Sequence, residues 1–89
     1  MVVEKEIGGT VYKIRDDLTL GELSKIQDEA VEIDPKTMMT VTKVEKMRSR
    51  LIAQCVAEPK LTPEEASKLK VGVGLQLYAA IQLANGVPL

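Results

Sequence analysis

Few side chains in this sequence are equipped for catalysis. There is one thiol, Cys55, and no histidine. Neither a Cys–His nor a Ser–His pair can be assembled within the chain, and zinc sites of the usual ligands are excluded. Cys55 falls in the middle of the apolar stripe of a predicted helix, where a thiol acts as a small buried hydrophobe. The adjacent carboxylates Asp16-Asp17 and Glu64-Glu65 stand at predicted caps and loop edges. Helix N-termini favour negative charge there, so solvated charge explains them without acid–base work. Gly8-Gly9 and Gly72-x-Gly74 lack the strand–glycine loop–helix arrangement of a phosphate site. The residues therefore predict no enzyme, no catalytic or metal-binding residue and no cofactor.

Two basic features invite a binding role. Lys43, Lys46 and Arg50 share one face of a predicted helix and could track phosphates. No aromatic residue is interleaved for base stacking and the sequence pI is about 5.4, so a solvated face, or complementarity with the acidic first helix, is preferred to nucleic-acid binding. Arg48 lies instead inside the apolar stripe, between Val44, Leu51, Ile52 and Cys55. Two accounts stand. The side chain snorkels out at the stripe's edge or pairs with Glu45 one turn earlier, or it is desolvated against a carboxylate of a neighbouring element or partner.

The elements that position these residues can be read in order. Gly8-Gly9 is a two-residue turn between Val2–Ile7 and Thr10–Arg15, which predicts a β-hairpin. A tight turn there sets Ile7 opposite Thr10, Lys5 opposite Tyr12 and Val3 opposite Ile14. Val3, Ile7, Tyr12 and Ile14 then gather on a face that should meet a helix, with Glu4 across from Lys13 on the other. Thr19 and Glu22 form a capping box, with Leu18 and Leu23 as its staple. The helix they open has a stripe of Leu20, Leu23, Ile26, Ala30 and Ile33, and Asp34-Pro35 breaks it. A second helix is expected from near Met38 or Thr40 to Ala57, with Val41, Val44, Met47, Leu51, Ile52 and Cys55 inward. Thr62, Pro63 and Glu65 start a short third helix to about Leu69. A last helix spans roughly Val71 to Asn85, closed by Gly86 with Pro88 just beyond. The expected fold class is α+β and mostly helical: a short N-terminal β-hairpin (1–15) followed by three to four α-helices (19–89).

Eighty-nine residues with no Phe or Trp give one domain, 1–89, with an aliphatic core. A chain this size buries only about two-thirds of its unfolded surface, so help from a partner matters. A single cysteine, no basic-apolar leader at the start and no run of about 20 apolar residues predict a cytoplasmic protein without a membrane span. Charge is unevenly spread. Residues 1–35 hold nine acids and four bases, residues 36–50 hold five bases and one acid, and nothing beyond Lys70 carries a charged side chain.

The order of these parts resembles a known family. A hairpin reading Glu6-Ile7-Gly8-Gly9-Thr10-Val11-Tyr12-Lys13-Ile14-Arg15 leads into Leu18-Thr19-Leu20-Gly21-Glu22. A central helix ends in Cys55-Val56-Ala57-Glu58-Pro59-Lys60-Leu61-Thr62-Pro63-Glu64-Glu65, and a final apolar helix stops at Asn85-Gly86. Over nearly its whole length the chain is similar to the tail assembly chaperones of long-tailed bacteriophages. The resemblance implies a non-enzymatic oligomer made in the host cytoplasm, which binds the long tape measure protein and hands it over as tail tube subunits polymerise. It carries over no site residues. A generic protein–protein adaptor and a small nucleic-acid-binding regulator are the rival classes.

The last helix is where a protein-binding surface is expected. Leu77, Tyr78, Ile81 and Ala84 occupy one side and suit the core, whereas Leu75 and Leu83 fall outside that stripe with only Gln76 and Gln82 to lend polarity. Either all these positions are buried within the domain, or Leu75 and Leu83 form an exposed contact site. Leu75, Tyr78, Leu83 and Arg48 are the expected interface residues, for a second copy of the chain or a client; no small molecule, nucleic acid or membrane is expected.

Overall fold

Gly8 and Gly9 both adopt left-handed backbone, φ 59° and 82°, the conformation that a two-residue hairpin turn requires and that glycine adopts without a Cβ penalty. In the computed structural model, which describes residues 2–86, that turn joins β1 (Val2–Ile7) to β2 (Thr10–Arg15). The register is the one expected, with Ile7 opposite Thr10, Lys5 opposite Tyr12 and Val3 opposite Ile14. Ile7, Tyr12 and Ile14 are buried, but Val3 is exposed. The covering helix follows β2 from the turn to the strand's end, leaving the open end of the edge strand β1 outside. Glu4 lies across from Lys13, yet the Lys13 ammonium forms its ion pair with Glu58, at 3.4 Å.

α1 (Leu20–Glu29) begins with the expected capping box. The Glu22 N–H donates to Thr19 Oγ1 at 3.1 Å and the Thr19 N–H to Glu22 Oε1 at 3.1 Å, an arrangement worth about 1 kcal/mol. Ile26 and Ala30 are buried, and Leu18 and Leu23 pack partly against the core. The expected stripe fails at both ends: Leu20 and Ile33 are exposed. The helix stops after Glu29 because Val31–Ile33 forms β3, antiparallel to β4 (Thr40–Thr42). Asp34-Pro35 is thus the corner of a second hairpin. Its loop is held by Asp34 N–H to Met39 O, 2.9 Å, and by Lys36 N–H to Asp34 Oδ1, 2.9 Å.

α2 runs from Val44 to Cys55, shorter at both ends than expected. Residues 40–42 are spent on β4, and Val56–Glu58 becomes a further strand, β5. β5 pairs antiparallel with β2, giving a three-stranded sheet in the order β1-β2-β5 with an irregularity between Lys13 and Ile14. Leu51, Ile52 and Cys55 are buried and Met47 is half-buried, whereas Val41 and Val44 are exposed. α3 (Pro63–Ser67) has the Thr62–Glu65 capping box and Pro63 in its first turn, and ends short of Leu69. α4 (Val71–Asn85) ends at Gly86, left-handed at φ 67°. Pro88 lies outside the described residues.

The fold is α+β as expected, with the N-terminal hairpin and, among the described residues, four helices. One core cluster joins Ile7, Tyr12 and Ile14 of the hairpin with Ile26, Leu51, Ile52, Cys55, Val56, Ala66, Leu77 and Ile81. Two contacts fix α4 on the hairpin. A Cβ on Gly8 would lie 3.3 Å from Val73 Cγ2, so the turn packs directly on the helix. At the other end Asn85 donates from Nδ2 to Arg15 O at 2.8 Å and accepts the Leu18 N–H on Oδ1 at 3.0 Å.

Candidate protein-interaction surface

The structure places the chemically able side chains apart and in structural roles. Cys55 is fully buried and its thiol is pushed up to about 11 by that burial, the opposite of what a nucleophilic cysteine needs. Asp17 accepts from Arg15 Nε at 2.9 Å. Glu64 is salt-bridged to Lys68 at 3.5 Å, and Glu65 completes a helix cap. No cluster of three metal-ligating side chains occurs among the described residues. No helix among them is long and apolar enough to cross a membrane.

The basic face of α2 turns toward acidic residues. Lys46 pairs with Glu32, Arg50 pairs with Glu29, and Gln54 Nε2 donates to Glu22 Oε2 at 2.7 Å. Arg15 reaches the same Glu22 with both terminal nitrogens at 3.2 Å. The Arg15 guanidinium, then the Thr19 N–H and the Gln54 amide, hold the Glu22 carboxyl at about 2, and Glu22, then Asp17, in turn raise Arg15. A cleft of about 500 Å³ lies along this seam. Of the charged side chains that line it, Glu22, Glu29 and Arg50 already have partners, which leaves Lys25.

The opposite side of α2 differs. Between α2, α3 and α4 runs an apolar groove made of two hollows, about 240 Å³ and about 390 Å³. Val44, Arg48 and Leu75 line both and so join them. Arg48 is exposed and lies over the Tyr78 ring, 5.4 Å from its centroid, a cation–π contact. It makes no ion pair with Glu45. Of the two accounts of Arg48, the one with the side chain reaching out at the edge of the stripe holds within the monomer. The aromatic partner was not legible from spacing alone.

Three of the four expected interface residues, Arg48, Leu75 and Tyr78, therefore meet in one groove. Leu83 stands apart on the outer face of α4 and is 87% exposed, with Leu75 at 47% and Val71 at 76%. Gln82 is not on that face; it is buried. The outer face thus has less polarity than the wheel suggested. Sequence reasoning missed Val44 and Ala79 as groove residues. It also missed the exposed apolar side chains of the second hairpin, Val31, Ile33, Met38, Met39 and Val41, because those residues were assigned to helices. Comparison with known proteins finds no matching family model, no matching curated protein and no matching solved structure.

Proposed function

We propose that this protein is a non-enzymatic assembly chaperone that self-associates and covers a long client protein. In this reading it acts in the cytoplasm as a bacteriophage tail assembly chaperone, binding the tape measure protein while the tail tube forms. The observation that carries it is the exposed apolar surface of α4, along the groove and on its outer face. Val71, Leu75 and Leu83 are exposed on a fifteen-residue helix without one charged side chain. An exposed apolar patch on a small domain marks a contact site, and a chaperone must cover apolar client surface while its own fold stays closed. The resemblance in the order of parts supplies the phage setting. Engagement of Lys46 and Arg50 by Glu32 and Glu29 favours a protein client over nucleic acid.

The test combines Leu75→Glu with Leu83→Glu. The double variant is expected to keep its circular dichroism spectrum and to lose oligomers in sedimentation, or to lose capture of the product of a very long helical reading frame downstream of this gene. Unfolding would make these core positions. A folded variant with oligomers and capture unchanged would place the surface elsewhere. Oligomers that respond to the mutations, with no capture of that product by the unmutated protein, would point to an adaptor with another client.

A further inference from the structure

The groove between α2 and α4 is mainly apolar, and at its junction stands a guanidinium with no anion among the described residues. Across α2, Lys46 and Arg50 are each met by a glutamate. Among the described residues no carboxylate forms an ion pair with Arg48; its partner is the Tyr78 ring. The charged side chains lining the two hollows are Arg48, Lys70 and Glu45, so the groove is net positive. We infer that it takes an amphipathic α-helix of a partner protein that carries a carboxylate within its apolar stripe, and that Arg48 selects that carboxylate. This rests on the protein-binding reading above and names the chemistry of the partner.

Length and spacing support a helix. α4 contributes lining residues from Val71 to Gln82, about 17 Å at 1.5 Å per residue, or roughly three turns. One hollow opens on the Leu69–Val71 side of Arg48 and the other on the Tyr78–Ala79 side. A helix lying along the groove would fill both with apolar side chains one turn before and one turn after its carboxylate. Such a carboxylate would add a charge-assisted bond to a guanidinium already oriented by Tyr78.

A second copy of the chain fits poorly. The outer face of α4 has no charge, so docking it here would strip water from Arg48 without supplying an anion. α1 has acids, but Glu22 and Glu29 are engaged by Arg15 and Arg50. Asp28 follows Ser24 and Lys25 one turn earlier rather than apolar side chains, so it does not stand within an apolar stripe. The occupant is therefore a different protein. Self-association is left to the α4 surface beyond the groove, around Leu83.

The test is selection from a displayed library of helical peptides about fifteen residues long, some four turns, on the unmutated protein. Enriched sequences are expected to share an Asp or Glu flanked three or four positions away on both sides by apolar residues. A synthetic peptide of that sequence should bind Arg48→Glu at least about tenfold more weakly. Exchanging its acid for Lys should restore binding to Arg48→Glu, and Leu75→Glu should abolish it. Arg48→Gln serves in the same assay if Arg48→Glu does not fold. Enrichment of apolar helices with no acid would overturn the role of Arg48 while leaving the groove as a protein site. Peptides indifferent to Leu75→Glu would show binding elsewhere, and no enriched helix at all would overturn the groove itself.

Discussion

α2 is joined to the rest of the fold along two flanks, and different physics holds each. Toward α1 and β3 the contact is charged: Lys46 meets Glu32 of β3, and Arg50 and Gln54 meet Glu29 and Glu22 of α1. Toward α4 it is apolar, with Leu51, Ile52 and Cys55 in one cluster with Leu77 and Ile81. Partly exposed ion pairs contribute little each, about 0–1 kcal/mol, whereas full burial of one aliphatic side chain contributes about 1.5–3 kcal/mol. The charged flank therefore sets which faces meet, and the apolar flank carries most of the stability.

The sharpest way to break this contrast is to cut into the apolar flank. Leu77→Ala or Ile81→Ala, both at fully buried positions, should each cost about 2–5 kcal/mol in urea unfolding. A domain of this size would then be close to unfolding. Loss below about 1 kcal/mol would show that α4 adds little to the core. Next in size is Asn85→Ala, which leaves Arg15 O and the Leu18 N–H without their side-chain partner. A cost of about 1–3 kcal/mol is expected, and amide exchange at Leu18 should quicken.

On the charged flank the expected effects are smaller and depend on conditions. The Glu22 carboxyl lies at about 2, below its ordinary 4.5, chiefly because of Arg15. Its contribution is therefore complete above about 4.5 and is lost as the pH falls from there to about 2. Asp17 is lowered by the same guanidinium and acts in the same direction. Melting curves of the unmutated protein and of Glu22→Gln should differ near neutrality and converge across that window. A constant gap would assign the difference to the helix cap instead. Smallest of all, Arg50→Gln should cost less than about 1 kcal/mol, and the difference should shrink in high salt.

How far the fold could be read from sequence depended on whether the signals were local. Gly8-Gly9 pinned the first hairpin and its register because only one pairing suited both turn and pattern. The two capping boxes and Gly86 likewise act within a few residues. The second hairpin escaped because Ile26, Ala30 and Ile33 continue a helical stripe as well as Val31 and Ile33 alternate in a strand. Periodicity cannot separate the two over so few residues. The β-branched run Thr40-Val41-Thr42 was the overlooked cue. β5 is three residues long and is defined by its pairing with β2, which no local pattern encodes. Within the candidate site, the wheel set Leu75 and Leu83 outside the core stripe but left open whether they were buried; the fold exposes both. The meeting of Arg48 with Tyr78 needed the packing of α2 on α4.

Asn85 grips the end of β2 across a sequence separation of 70, while Gly8 abuts Val73 near the start of the same helix. The first and the last of the described elements are thus mutually dependent. During synthesis at about 5–20 residues per second, the hairpin waits several seconds for the surface that covers Ile7, Tyr12 and Ile14. An isolated hairpin is marginal in water, so the nascent chain gains its core only when α4 leaves the ribosome. Folding should be close to all-or-none once α4 has emerged, and a ribosome stalled before residue 71 would hold a chain that proteases digest readily.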